Sequence, residues 1–229
     1  MVGTVVSNST ISHTCYNYMA GAALAVIGTD AVAMHNEVFD FPLFGISVME
    51  AGGPSRASSP TVEIAYNYIH DFGGESVLSD FGGVYVSTDS DAQPSTNWLA
   101  ADVHHNLITR ASSYHYGANG LYSDHGTSGT NFYSNVVAGK GGRGISPHAG
   151  LNLTVTNNLF YNVSLQPFGG NPEASCVVSG PGGSPPGFSA TLRSNIFAQA
   201  QGGSPVFFST KDLFWDPPKT AVVSDGNVF

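Results

Sequence analysis

Basic residues are scarce in this chain. Lys and Arg total 7 in 229 residues against 16 Asp and Glu, a formal charge of −9. That balance argues against nucleic acid or an anionic membrane as the main partner. Charge of either sign is low, at 10% of residues. Long hydrophobic runs are missing too. The most apolar stretch, 20–34, is interrupted by Asp30 and is too short to cross a bilayer, so it is read as buried β-structure. No basic segment followed by an apolar one opens the chain, so no signal peptide is visible. Sustained helical amphipathic periodicity is absent throughout, and no substantial helix is expected. What the chain does have is 28 glycines and 13 prolines, which suit short strands joined by tight turns.

An asparagine followed by two mostly apolar residues recurs along the whole chain. It begins at Asn17, Asn36, Asn67, Asn106, Asn135, Asn158, Asn195 and Asn227, at intervals of 19, 31, 39, 29, 23, 37 and 32 residues. Spacing this uneven does not fit helical repeats; it fits a β-solenoid whose coils keep their strands and vary their loops. Asparagine suits the corner before a strand because it tolerates left-handed backbone there. Its amide can also bond the equivalent amide one coil away, at the strand spacing of about 4.8 Å. The expected fold is all-β: a right-handed parallel β-helix of about seven to eight coils, forming one domain over residues 1–229. The last repeat stops at Asn227-Val228-Phe229, so a fragment truncated at its C-terminal end is expected, with the N-terminal end open to the same reading. Cys15 and Cys176 lie 161 residues apart. Several coils should separate them, beyond the Cα distance of about 7 Å that a disulfide spans, and no bridge is expected. Three glycosylation sequons begin at Asn8, Asn152 and Asn162, and they matter only in a eukaryotic secretory pathway.

A second repeat interleaves with the first: Gly45-Ile46-Ser47, Gly83-Val84-Tyr85, Gly120-Leu121-Tyr122 and Gly144-Ile145-Ser146. Here glycine is expected to open a turn, the next residue to face the core, and the third to face solvent. The Gly-led strands should stack into one parallel sheet whose outward residues, Ser47, Tyr85, Tyr122 and Ser146, line a shallow groove. Acids gather beside it. Asp80 lies three before Gly83, and Asp124 lies four after Gly120. Two carboxylates flanking a groove suit glycoside hydrolysis, one as acid and the other as nucleophile or base. Equally, both can be turn residues accepting backbone N–H bonds.

The segments Leu78-Ser79-Asp80-Phe81-Gly82-Gly83-Val84-Tyr85, residues 116–129 around Asp124, and residues 148–160 from His148 to Asn157-Asn158-Leu159-Phe160 occur in that order. With Asn36-Glu37-Val38-Phe39-Asp40 and Asn67-Tyr68-Ile69-His70-Asp71 they resemble the parallel β-helix proteins of glycoside hydrolase family 141. The resemblance covers about residues 30–229. It implies a pectate-lyase-like superfold, activity on plant- or algal-type polysaccharide, and a secreted or cell-surface location. It also matches Asp80 and Asp124 to the family's catalytic acids. Asn119 stands where the family has Trp, His125 where it has Glu, and Ala149 where it has Tyr.

His104, His105, His115, His125 and His148 fall within 45 residues, on what should be the coils around the two acids. Tyr85, Tyr122, His115, His125 and His148 are the expected sugar-positioning residues. His13, His35 and His70 are read as turn residues. No tight ligand spacing appears, so no metal or cofactor is expected. Arg110, Lys140 and Arg143 are the basic residues nearest the expected groove. Lys140 or Arg143 would serve a polysaccharide lyase acting on a uronate polymer, which needs a cation and a base. A non-catalytic carbohydrate-binding coil is the third reading.

Overall fold

The computed structural model describes residues 3–19, 21–27, 30–50, 61–74, 80–88, 100–112, 118–124, 127, 129–139, 143–147, 152–163, 166–168, 171–173, 188–198 and 220–228. The first three strands, β1 (Val5–Ser7), β2 (Thr10–Ser12) and β3 (Ala22–Val26), enter three different sheets. The same order of visits repeats with β4 (Val32–Met34), β5 (Glu37–Phe39) and β6 (Phe44–Glu50), then with β7 (Thr61–Ala65), β8 (Tyr68–Phe72) and β9 (Phe81–Thr88). It repeats again with β10 (Ala100–His104), β11 (Leu107–Ala111) and β12 (Ala118–Ser123), and with β13 (Asn131–Tyr133), β14 (Val136–Ala138) and β15 (Arg143–Pro147). Two further visits to the first and second sheets follow, by β16 (Leu153–Thr156) with β17 (Leu159–Tyr161), and by β20 (Phe188–Arg193) with β21 (Ile196–Ala198). Between them lies the antiparallel pair β18 (Gln166–Phe168) and β19 (Asn171–Glu173), and β22 (Thr220–Asp225) closes the first sheet.

The result is all-β with parallel strands in three sheets of eight, seven and five strands. Among the described residues there is no helix, and so none long and apolar enough to cross a membrane.

The register stacks like on like. In the first sheet Ala33, Ile64, Val103, Phe132, Val155 and Leu192 form one inward column. In the second the column is Ile11, Val38, Ile69, Ile108, Val137, Phe160 and Phe197. Leu24, Ile46, Val84, Leu121 and Ile145 form the third. Nearly all of these side chains are buried, and each large one contributes about 1.5–3 kcal/mol by leaving water. Alternation places the intervening residues on the outer faces.

Asparagines seal the corner between the first and second sheets. The side-chain Oδ1 of Asn67 accepts from both the backbone N–H and the Nδ2 of Asn36, each at 3.0 Å. Asn67 hands the same pair of bonds to Asn106, and the chain continues through Asn135, Asn158 and Asn195 to Asn227. Each Nδ2 also donates to a carbonyl of the first sheet, as Asn106 does to Ile64 at 2.9 Å. Six of these asparagines, Asn36 to Asn195, are buried.

Two expectations change here. Asn17 is not a member of the ladder; its place is taken by Ser9, whose backbone N–H donates to Asn36 Oδ1 at 3.1 Å. Nor is it the ladder asparagine that turns left-handed. The preceding residue does so: His35, Tyr66, His105, Ser134, Asn157, Ser194 and Gly226 all have positive φ. The asparagine instead aims its amide inward along the stack.

The Gly-led strands do stack in one sheet, with Ile46, Val84, Leu121 and Ile145 in register, but their glycines lie within strands and open no turn. They permit close approach. A Cβ on Gly45 would sit 2.4 Å from the Gly83 carbonyl oxygen, and one on Gly120 would sit 2.3 Å from Val137 Cγ1. Within stretch 20–34, β3 and β4 are half-buried rather than wholly buried. Cys15 is a free thiol beside the Ala22 carbonyl; Cys176 lies outside the described residues.

Candidate functional site

The third sheet carries both acids, one at each end of neighbouring strands. Asp80 immediately precedes β9, in left-handed backbone with φ 67°. Asp124 immediately follows β12, where its N–H donates to the Val86 carbonyl at 2.8 Å. Ser123 and Thr127, both buried, fix this second end. The Thr127 hydroxyl donates to the Asp124 carbonyl at 2.9 Å, so the 2.6 Å bond between the two hydroxyls takes its proton from Ser123.

Tyr85 and Tyr122 stand opposite each other in the register, on the outer face because Val84 and Leu121 take the inner one. Their rings meet edge to face at 5.1 Å. Each hydroxyl reaches across to the acid of the other strand. Tyr85, on β9, donates to Asp124 Oδ2 at 2.8 Å. Tyr122, on β12, donates to Asp80 Oδ1 at 2.9 Å. Burial, and after it the Asp124 charge, push both tyrosine hydroxyls well above their ordinary value; Asp80 acts on both as well. The two phenols therefore remain proton donors throughout the working pH range, and each feels both carboxylates.

The expected open row of polar residues is not what forms. Ser47, Tyr122 and Ser146 are buried, and only Tyr85 and the two acids retain exposure. Ser47 Oγ has no hydrogen-bond partner among the described residues. Phe44 lies flat against Tyr85 at 4.0 Å. Its contribution was not foreseen, although its place immediately before Gly45 in the repeat could have pointed to it. Asn119, standing where the resembled family has Trp, is buried and ties β12 to the start of β9 through the Phe81 carbonyl. A buried amide offers no stacking surface to a sugar.

His115, His125, His148 and Lys140 lie outside the described residues. Arg143 is on β15, in register with Asn119 on the same sheet. The remaining histidines sit elsewhere. His104 ends β10 in the first sheet, with its Nε2 3.1 Å from Glu63 Oε1 and its Nδ1 2.9 Å from His105 Nδ1. His70, expected at a turn, is buried in β8 between Glu37 and Asp71, with the Phe39 and Tyr68 rings stacked on it. His13 and His35 do occupy left-handed turn positions. Arg110 is away from the acid pair, on the second sheet, where its Nε and Nη2 each lie 2.6 Å from Asp71. Among the described residues no three His, Cys, Asp or Glu side chains converge as a metal site would need.

Comparison with protein-family models finds no match, and neither curated proteins nor solved structures yield one.

Proposed function

We propose that this chain is a right-handed parallel β-helix of about seven to eight coils that cleaves glycosidic bonds with Asp80 and Asp124. The observation that carries the reading is the reciprocal latch, in which Tyr85 holds Asp124 and Tyr122 holds Asp80. It ties both carboxylates, one beside β9 and one beside β12, to the same pair of tyrosine rings. The resemblance to glycoside hydrolase family 141 supports the same pair. The cyclic order of parallel strands supports the right-handed coil, because parallel crossovers in one sheet are overwhelmingly right-handed.

One acid would protonate the leaving oxygen while the other attacks the anomeric carbon or activates water. Tyr85 and Tyr122 would keep the carboxylates oriented, and His115, His125 and His148 would contact the sugar. The substrate class is plant- or algal-type polysaccharide, met at the cell surface or after secretion.

Asp80→Asn and Asp124→Asn should each lower release of reducing sugar by at least about a hundredfold, with circular dichroism unchanged. Two outcomes count against the proposal. Unsaturated, ultraviolet-absorbing products that depend on Lys140 or Arg143 would favour a lyase, for which Arg143 on the same sheet is the supporting observation. Sugar binding that survives in both Asn variants, without turnover by the parent chain, would make this a binding coil.

A further inference from the structure

A cavity of about 370 Å³ opens at the corner between the second and third sheets; neither Asp80 nor Asp124 is among its described lining residues, though Gly73 of the lining packs against Phe81 at the start of β9. Its volume is in the range of small-ligand sites. Tyr16, Met19, Phe41 and Pro42 supply its apolar wall, and Asp40 and Asp71 its polar groups. The two acids follow β5 and close β8 one coil apart, both in left-handed backbone, with the Asp40 N–H donating to the Asp71 carbonyl at 3.0 Å.

The hydrogen-bond inventory sets what this space can hold. Among the described lining residues Tyr16 is the only side-chain donor, and its hydroxyl is turned onto Asp40 Oδ1. His13 meets Asp40 Oδ2 at 2.6 Å from outside the lining. Arg110 clamps both oxygens of Asp71, again from outside. An ionised carboxylate has about four acceptor positions, and these contacts take only some of them. The cavity's described residues therefore offer acceptors and an apolar wall, but no spare side-chain donor. Because Arg110 neutralises Asp71 and Asp40 already receives two contacts, the site has little demand for a cation. A neutral ligand rich in hydroxyl donors, with an apolar C–H face, meets both requirements.

We infer that this corner is a second binding site for a neutral polyhydroxylated ligand of monosaccharide size, separate from the acid pair. The inference does not depend on cleavage at Asp80 and Asp124. Tyr16 would take the C–H face, and Asp40 and Asp71 would accept hydroxyl protons.

The test is an amide-resolved NMR titration of the intact chain with methyl β-D-xyloside, methyl α-L-fucoside and myo-inositol as neutral probes, and spermidine as the cationic one. At least one neutral probe should shift the Tyr16, Asp40 and Phe41 amides with millimolar affinity. Tyr16→Ala and Asp40→Asn should each weaken that binding about tenfold. Tyr16 is largely exposed and asparagine tolerates the left-handed backbone at position 40, so both variants should fold. In Asp80→Asn the shifts should be unchanged. The inference is overturned if no neutral probe binds up to about 100 mM, or if spermidine alone produces the shifts. It is also overturned if the shifts persist in Tyr16→Ala and Asp40→Asn but vanish in Asp80→Asn. Loss of hydrolysis in Asp80→Asn with these shifts intact would leave the two sites separately established.

Discussion

Asp71 is held by two neighbours. Arg110 approaches from the adjacent strand β11 and His70 from the adjacent position in β8. Hydrogen bonding from Arg110, with a smaller share from His70, lowers its carboxyl to about 2 from an ordinary 3.8. The depressed value means that the ionised form is favoured by folding. Its contribution is complete above the unfolded value and disappears as pH falls through about 2. Both partners are roughly half exposed, so solvent screening keeps that contribution at about 1 kcal/mol or less. Asp71→Asn, which suits the left-handed backbone at this position, should lower stability near neutrality by that amount. In urea unfolding the difference from the parent chain should shrink below about pH 4 and be gone only below about pH 2. A pH-independent difference would mean that the Arg110 pairing contributes nothing. At this scale the sequence was only partly readable. Asp80 and Asp124 could be placed because glycine repeats anchor their strands. His70, His104 and Arg110 could not, because a lone imidazole or guanidinium carries no register of its own, and its partners Glu37, Glu63 and Asp71 are 33 to 41 positions distant.

The ladder is the element whose chemistry is most exposed to a single substitution. Asn106→Ala would remove the acceptor for the Asn67 backbone N–H and Nδ2, and the donor to the Ile64 carbonyl, all in buried surroundings. At about 1–3 kcal/mol for each stranded group, a loss of roughly 3–5 kcal/mol is expected from urea unfolding. Asn227→Ala, at the partly exposed end of the ladder, should cost only about 1 kcal/mol. Equal small losses at both positions would show that the amide chain is not cooperative. The periodic asparagines were legible because a side chain that bonds its own kind must recur once in every visit to the first two sheets. Asn17 misled for the complementary reason: asparagine identity alone does not report the corner, and Ser9 can close the ladder with its backbone N–H. Of the left-handed turns one residue earlier only His35 was legible, since Tyr66 and Ser134 are not residues that announce such backbone. The interior glycines were found but misread. Their recurrence is equally consistent with a turn, and only the close carbonyls and side chains at Gly45 and Gly120 distinguish crowding from bending.

Across the whole molecule, sheet positions are constant while connections absorb the variation. Ladder intervals from Asn36 onward run from 23 to 39 residues, yet the register from β4 to β16 in the first sheet keeps inward residues aligned throughout. The all-β class and the parallel Gly-led sheet follow from that constancy and were legible. The side chains of the connections were not, because loop length carries no register. Strands of the three parallel sheets neighbour only their equivalents in adjacent rounds, so β1 and β22 lie at opposite edges of the first sheet. Tension applied to the two chain ends would then act along the interstrand hydrogen bonds and load the rounds in series. Each should peel away separately at low force, lengthening the tether by roughly 80–140 Å per step for rounds of 23 to 39 residues. Optical-tweezer traces should show a staircase of unequal steps; a single rupture releasing the full length would mean that the rounds yield together.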